Sequence, residues 1–179
     1  MPSNSAYIVL SLAATVTLGA CGDGDGEQTA TGPGAALKCS SSGKNAFSTY
    51  GADAFVAVNE QIFTEVTAEL TANGSTNLGT SFSAVTDFPT FKGRLAAFLV
   101  FAYGGPTKIT YTDGKTYEGV QDMQEAHAGM AITSAQYDYF VATIIVPALT
   151  KSGVPMADVS SCFAPLVIDP AVKASMVGQ

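Results

Sequence analysis

The sequence is short of imidazoles and of cations. One histidine, His127, stands among 179 residues beside three cysteines, and eight Lys and Arg face fifteen Asp and Glu, for a formal net charge of −7. Most protein-only zinc sites are excluded, because they need three or four His or Cys ligands close together. Lys92 and Arg94 are the closest basic pair; with no basic stripe to neutralise phosphates, DNA and RNA are excluded as partners. A serine-hydrolase triad would have to use His127, and no Gly-x-Ser-x-Gly elbow occurs. Long apolar runs are also lacking: the N-terminal one is too short to span a bilayer as a mature anchor. What is present is a globular composition, 47% hydrophobic and 13% charged, in a length that suits one domain.

The N-terminal run, AYIVLSLAATVTLGAC, ends in small residues before a cysteine. Leu18-Gly19-Ala20-Cys21 resembles a bacterial lipoprotein signal, which implies cleavage before Cys21 and lipidation of its sulfur; the alternative is an ordinary buried helix. The pattern departs from such signals in having no Lys or Arg ahead of the apolar core. A polar, Gly-rich stretch follows and reads as a tether. The expected organisation is a signal peptide over 1–20, a lipidated Cys21 with a flexible tether over 21–43, and a folded domain over 44–179. The resemblance implies a bacterial cell-envelope location with a membrane anchor through lipid, and Gly22 rather than Asp after Cys21 implies the outer membrane. In that oxidising compartment Cys39 and Cys162 are permitted to pair. Two free buried thiols are the other reading, and sequence supplies no geometry to choose between them.

The folded part is helical in its spacing. Phe55, Val58, Ile62, Phe63, Val66 and Leu70 recur at three- and four-residue intervals until Asn73-Gly74 stops the helix, and a long connection rich in Gly, Ser, Thr and Asn follows over 71–86. Asp87 is a good N-cap for a second helix, with Pro89 in its first turn and a stripe of Phe88, Phe91, Leu95, Phe98 and Ala102. Alternation around Asp113-Gly114 predicts a small hairpin or an ordered loop. Met123, Ala126, His127 and Met130 share one face of a short predicted helix. Thr133 and Gln136 suit a capping box for the next one, which carries Tyr137, Phe140, Val141, Ile144 and Ile145 and which Pro147 should kink. A last short helix holds Val159, Phe163 and Leu166. There is no internal repeat and no second domain.

On spacing alone, His127 reads either as a satisfied core residue or as a ligand. The order of segments from about Gly51 to Leu166 bears on that choice: FKGRLAAFLVFAYGGP, a Tyr-x-Gly, DMQEAH, then AIT, YDYF, ALTKSGVP and APL. It resembles a group I truncated hemoglobin. The resemblance implies an all-α, two-over-two helical sandwich around heme b, with His127 as the axial iron ligand. Heme is a flat apolar disc with two carboxylates, so its pocket wants aromatic and aliphatic walls and cations at the rim. Phe63, Phe82, Phe91, Leu95, Phe98, Met123 and Met130 are the candidate walls, and Arg94 and Lys92 the candidates for the propionates. Phe55 and Phe140 read as plain core, and Arg94 equally as a solvated helix face.

The family usually carries a tyrosine over the far side of the iron and often a glutamine nearby; alignment puts Phe63, Phe91 and Leu95 at those positions. The expected consequence is oxygen binding weaker by on the order of 1–3 kcal/mol for want of a hydrogen bond, and a site that favours NO or CO. Tyr111 or Tyr117, in longer loops than the family's, could supply the missing donor. The implied function is binding of diatomic gases, for sensing or NO handling. NO dioxygenase activity would need an electron-donating partner. The alternative is a heme-free globin skeleton serving as an envelope interaction module.

Overall fold

The structure is a computed structural model and describes residues 31–179. The stretches expected to be a signal peptide and a lipidated Cys21 lie outside the described residues. Helix α1 spans Ala46–Asn73, opened by the Asn45 side chain, which accepts from the Ser48 N–H at 2.7 Å, and bent at Gly51 (φ 76°). Its buried stripe is Phe55, Val58, Ile62, Phe63 and Val66, and it closes at Gly74. Helix α2, Phe88–Ala102, starts where the Asp87 side chain accepts from the Thr90 N–H at 3.2 Å, with Pro89 in its first turn. A two-stranded antiparallel hairpin follows: β1 (Lys108–Thr110) and β2 (Thr116–Glu118) pair Ile109 with Tyr117. Then comes α3, Met123–His127, capped by Asp122.

The remaining helices do not simply kink at their prolines. After α4 (Ser134–Tyr139), opened by the expected Thr133–Gln136 capping box, the chain runs through a π-helical segment, Phe140–Ile145, into α5 (Val146–Lys151). The Val146 N–H reaches back to the Val141 carbonyl, one residue further than in an α-helix, immediately before Pro147. The same device recurs in the next helix. There α6 (Met156–Asp158) leads through π-helical Val159–Phe163 into α7 (Ala164–Val167), and the Ala164 N–H bonds the Val159 carbonyl immediately before Pro165. A proline has no N–H and its ring clashes with the carbonyl four residues back. Widening the preceding turn by one residue absorbs both defects, so the helix continues where a kink was expected. A five-residue helix, α8 (Pro170–Ala174), ends the regular structure.

Helix α1 packs against α2 on one side and α5 on another, around Ile62, Val66, Val100, Ile144, Ala148 and Leu149. One expectation needs correction. The described part of the supposed tether, 31–43, is docked rather than free: Gly32, Gly34 and Cys39 are buried, and the Gly34 N–H donates to the Ala102 carbonyl at 2.7 Å. Small residues are what allow this approach, since a Cβ at Gly32 would lie 1.8 Å from the Phe101 carbonyl oxygen. Cys39 and Cys162 are joined in a disulfide with Cα atoms 4.7 Å apart. Beside it Asp158, fully buried, accepts from the Ser41 N–H at 2.9 Å and from the Ser41 and Tyr50 hydroxyls at 2.5 Å each. The folded body therefore begins by Gly32, a dozen residues earlier than hydrophobic spacing alone marked it.

Candidate functional site

Helix α2 has three faces, and each has a different neighbour. At 3.6 residues per turn, Ala96, Val100 and Tyr103 fall together and are buried toward α1. Gly93, Ala97 and Phe101 form a second face against the hairpin side, where a Cβ at Gly93 would strike the Tyr117 ring at 2.2 Å and one at Gly119 the Ala97 carbonyl oxygen at 2.4 Å. The third face is Phe91, Leu95 and Phe98, large apolar side chains that are only half-buried. Phe91 is continued by an aromatic chain. Its ring meets Phe63 edge-on at 5.5 Å and Phe82 at 6.3 Å, and Phe82 stacks on Phe140 at 5.4 Å. The loop at 74–87 thus delivers Phe82 between α2 and the π-helical segment. Phe140, read from sequence as core, is half-buried and belongs to this wall. Sequence spacing could not show this, because its partner in the wall, Phe82, is delivered by a loop with no periodicity.

His127 sits at the last position of α3, a helix with no buried residue of its own. One polar contact ties the residues before α3 to α2, where the Gln121 side-chain amide donates to the Arg94 carbonyl at 3.3 Å, and the Asp122 carboxylate caps α3 itself through the Gln124 and Glu125 N–H groups. The ring's Nδ1 lies 2.7 Å from the Met123 carbonyl oxygen. A carbonyl only accepts, so Nδ1 carries a proton, and in the neutral ring the lone pair is on Nε2, which has no hydrogen bond among the described residues. This is the arrangement by which proteins orient a metal-ligating imidazole. Among the described residues no cluster of three His, Cys, Asp or Glu could hold a bare metal ion.

Two sequence expectations fail here. Met130 does not share a helix face with His127: α3 stops at His127, Gly129 turns left-handed (φ 77°), and Met130 is 43% exposed. Lys92 is not a free rim cation, for its ammonium is 2.6 Å from Glu60 and lies over the Phe63 ring at 5.2 Å. Arg94 is exposed and makes no salt bridge among the described residues, on a position bordering the Phe91, Leu95 and Phe98 face.

The loop tyrosines are committed elsewhere. The Tyr111 hydroxyl donates to Glu60 and accepts from Asn59 at 3.1 Å, and that of Tyr117 donates to Asp113 at 2.6 Å. Burial and then Glu60 push the Tyr111 hydroxyl up to about 12. Burial would also raise Glu60, but the hydrogen bonds from Lys92 and Tyr111 outweigh it and hold the carboxyl below its usual range. Tyr50, Tyr103 and Tyr137 donate to Asp158, the Phe163 carbonyl and the Val167 carbonyl. Five of the six tyrosine hydroxyls among the described residues thus have a partner of their own.

Among solved structures, the chain is similar to a tyrosine-to-phenylalanine mutant of truncated hemoglobin from Tetrahymena pyriformis in its Fe(III) form. The likeness has a TM-score of 0.57 and 22% identity over 76% of this chain and the whole of that one. The fold is that of a truncated globin. No protein-family model and no curated protein matches the chain. Phe91, Leu95 and Phe98 are half-buried on α2, and the Nε2 of His127 has no hydrogen-bond partner among the described residues.

Proposed function

We propose that this truncated-globin chain binds heme b, with His127 as the iron's protein ligand, and presents it to the diatomic gases O₂, NO and CO. The observation that carries the reading is His127 itself: the one imidazole in the sequence, with Nδ1 tied to the Met123 carbonyl at 2.7 Å and Nε2 left to bind. Heme, when bound, supplies an iron that coordinates a diatomic gas. Phe82, Phe91, Leu95, Phe98 and Phe140 give it apolar walls, Met123 flanks the ligand, and Arg94 supports one propionate. On the far side Phe63, Phe91 and Leu95 offer no hydrogen-bond donor, which supports a site tuned to NO or CO rather than to tight oxygen storage. The Leu18–Cys21 motif supports lipid anchoring at Cys21 in a bacterial envelope, at the outer membrane.

The test is a hemin titration of residues 31–179 followed by visible absorption, oxidised and reduced, beside His127→Ala. A sharp Soret band that moves on reduction and on adding CO, and that is lost or altered in the variant, is the expected outcome. A spectrum indistinguishable from free hemin would leave a globin skeleton without its cofactor and would favour an interaction module in the envelope.

A further inference from the structure

The loop behind His127 has nothing of its own to hold it. Residues 128–133 contribute no buried side chain, α3 contributes none, and the backbone turns left-handed at Gly129 (φ 77°) and again at Ala131 (φ 50°). Ala131 is the one non-glycine residue with positive φ among the described residues, a conformation that L-residues avoid unless held. What holds it is the far end of the chain. The Ala131 N–H donates to the Gln179 carbonyl and the Gly178 N–H to the Ile132 carbonyl, both at 2.9 Å, while the Met130 N–H donates to the His127 carbonyl at 3.1 Å.

The rest of the C-terminal segment converges on the same stretch. Tyr137, at the start of the following helix, donates its hydroxyl to the Val167 carbonyl at 2.6 Å. Lys173 pairs with Asp138 at 2.5 Å and lies over the Tyr137 ring at 5.7 Å. The Gln179 side-chain amide folds back onto the Ala174 carbonyl at 2.9 Å, which stiffens the tail that carries the paired backbone. Residues 167–179 therefore clamp residues 131–138 at both ends, directly downstream of the imidazole.

We propose that this C-terminal segment is a latch that aims His127: Gly178 and Gln179 are positioning residues that fix the loop and, through it, the direction in which Nε2 points. That the aimed nitrogen meets an iron rests on the reading above; the aiming itself does not. Two variants test it, a chain ending at Met176 and full-length Gly178→Pro, which removes the donor and forbids the φ of +78° found there. The first readouts need no heme. They are exchange of the Ala131 amide and the tautomer of His127 by nitrogen NMR, where a single histidine leaves no assignment to make. The intact chain should show a protected Ala131 amide and a His127 held as the Nδ1–H tautomer. With thermal midpoints near that of the intact chain, both variants should exchange Ala131 at least roughly tenfold faster, the loss of about one hydrogen bond. They should also populate the Nε2–H tautomer. An unchanged tautomer in chains whose Ala131 amide has become exposed overturns the latch. In hemin-loaded, reduced protein the iron–histidine stretching band should shift and broaden in both variants, and an unmoved band likewise overturns it. If the intact chain takes up no hemin, the heme reading falls while the exchange and tautomer results still decide the latch.

Discussion

On the proposed heme reading, replacing Leu95 with glutamine should tighten oxygen binding. Leu95 is half-buried on the open face of α2 and lies outside the buried core, so a nearly isosteric polar side chain disturbs little packing. The wild-type face has no donor of its own, and the hydroxyls of Tyr111 and Tyr117 are taken by Glu60 and Asp113. Dioxygen held at a heme iron is partially negative, so one amide N–H aimed at it forms a charge-assisted hydrogen bond of about 1.5–3 kcal/mol. At about 1.36 kcal/mol per decade this is a slowing of oxygen dissociation by roughly 10- to 150-fold. CO carries little charge and should dissociate at nearly the same rate in both proteins. Stopped-flow mixing of the oxygenated protein with excess CO reads the oxygen rate directly, and ligand replacement by NO reads that of CO. The reasoning is refuted if Leu95→Gln leaves oxygen dissociation where it was, or if it slows both gases alike. Slow oxygen release in the unmodified chain would refute the donor-free distal face itself.

Reduction of Cys39–Cys162, or Cys162→Ser, should lower stability by about 2–5 kcal/mol in urea unfolding, toward the upper end because the bond closes a separation of 123 residues. The hydrogen bonds from Ser41 and then Tyr50 hold the Asp158 carboxyl below its usual range. Its contribution is therefore complete above the unfolded value near ~3.9 and lost as pH falls through the lower folded one. Asp158→Asn should flatten the acid limb of a stability–pH curve while lowering the midpoint at neutral pH. Tyr50, raised by burial and then by Asp158, and Tyr111, raised by burial and then by Glu60, both reach about 12. Their contribution is full below the unfolded value near ~10 and lost as pH rises from there toward 12, so Tyr111→Phe should flatten the alkaline limb seen by circular dichroism. Phe82→Ala removes the ring bridging Phe91 and Phe140, and should weaken hemin retention, measured by transfer to an apoglobin acceptor, with little change in helix content.

What sequence reasoning captured was local. The Asn73-Gly74 stop, the Asp87 cap, the hairpin at Asp113-Gly114 and the Thr133–Gln136 box each depend on residues within four positions of one another, and all appear in the structure. His127 was legible because it has no competitor. What was missed depends on distance. Phe140 joins the aromatic wall through Phe82, which comes from the irregular connection about sixty residues earlier and which no local pattern pairs with it. Met130 was assigned to a helix that ends three residues before it, at a left-handed turn held in place by residues 178 and 179. The docking of 31–43 was hidden by a composition, rich in Gly and Ser, that reads as a linker; those glycines are small because the end of α2 lies against them.

That docked segment also sets how the domain would bear a pull. Whatever residues 1–30 are attached to, tension entering at residue 31 meets first the backbone bond from Gly34 to Ala102 and then the covalent bond from Cys39 to Cys162. From there the force passes into the helix around Cys162, and the stretch from Ser40 to α1 stays slack. The His127 loop lies off that line, latched to the opposite terminus. A domain built this way can be held by its N-terminal end without the strain reaching the imidazole on which its chemistry would turn.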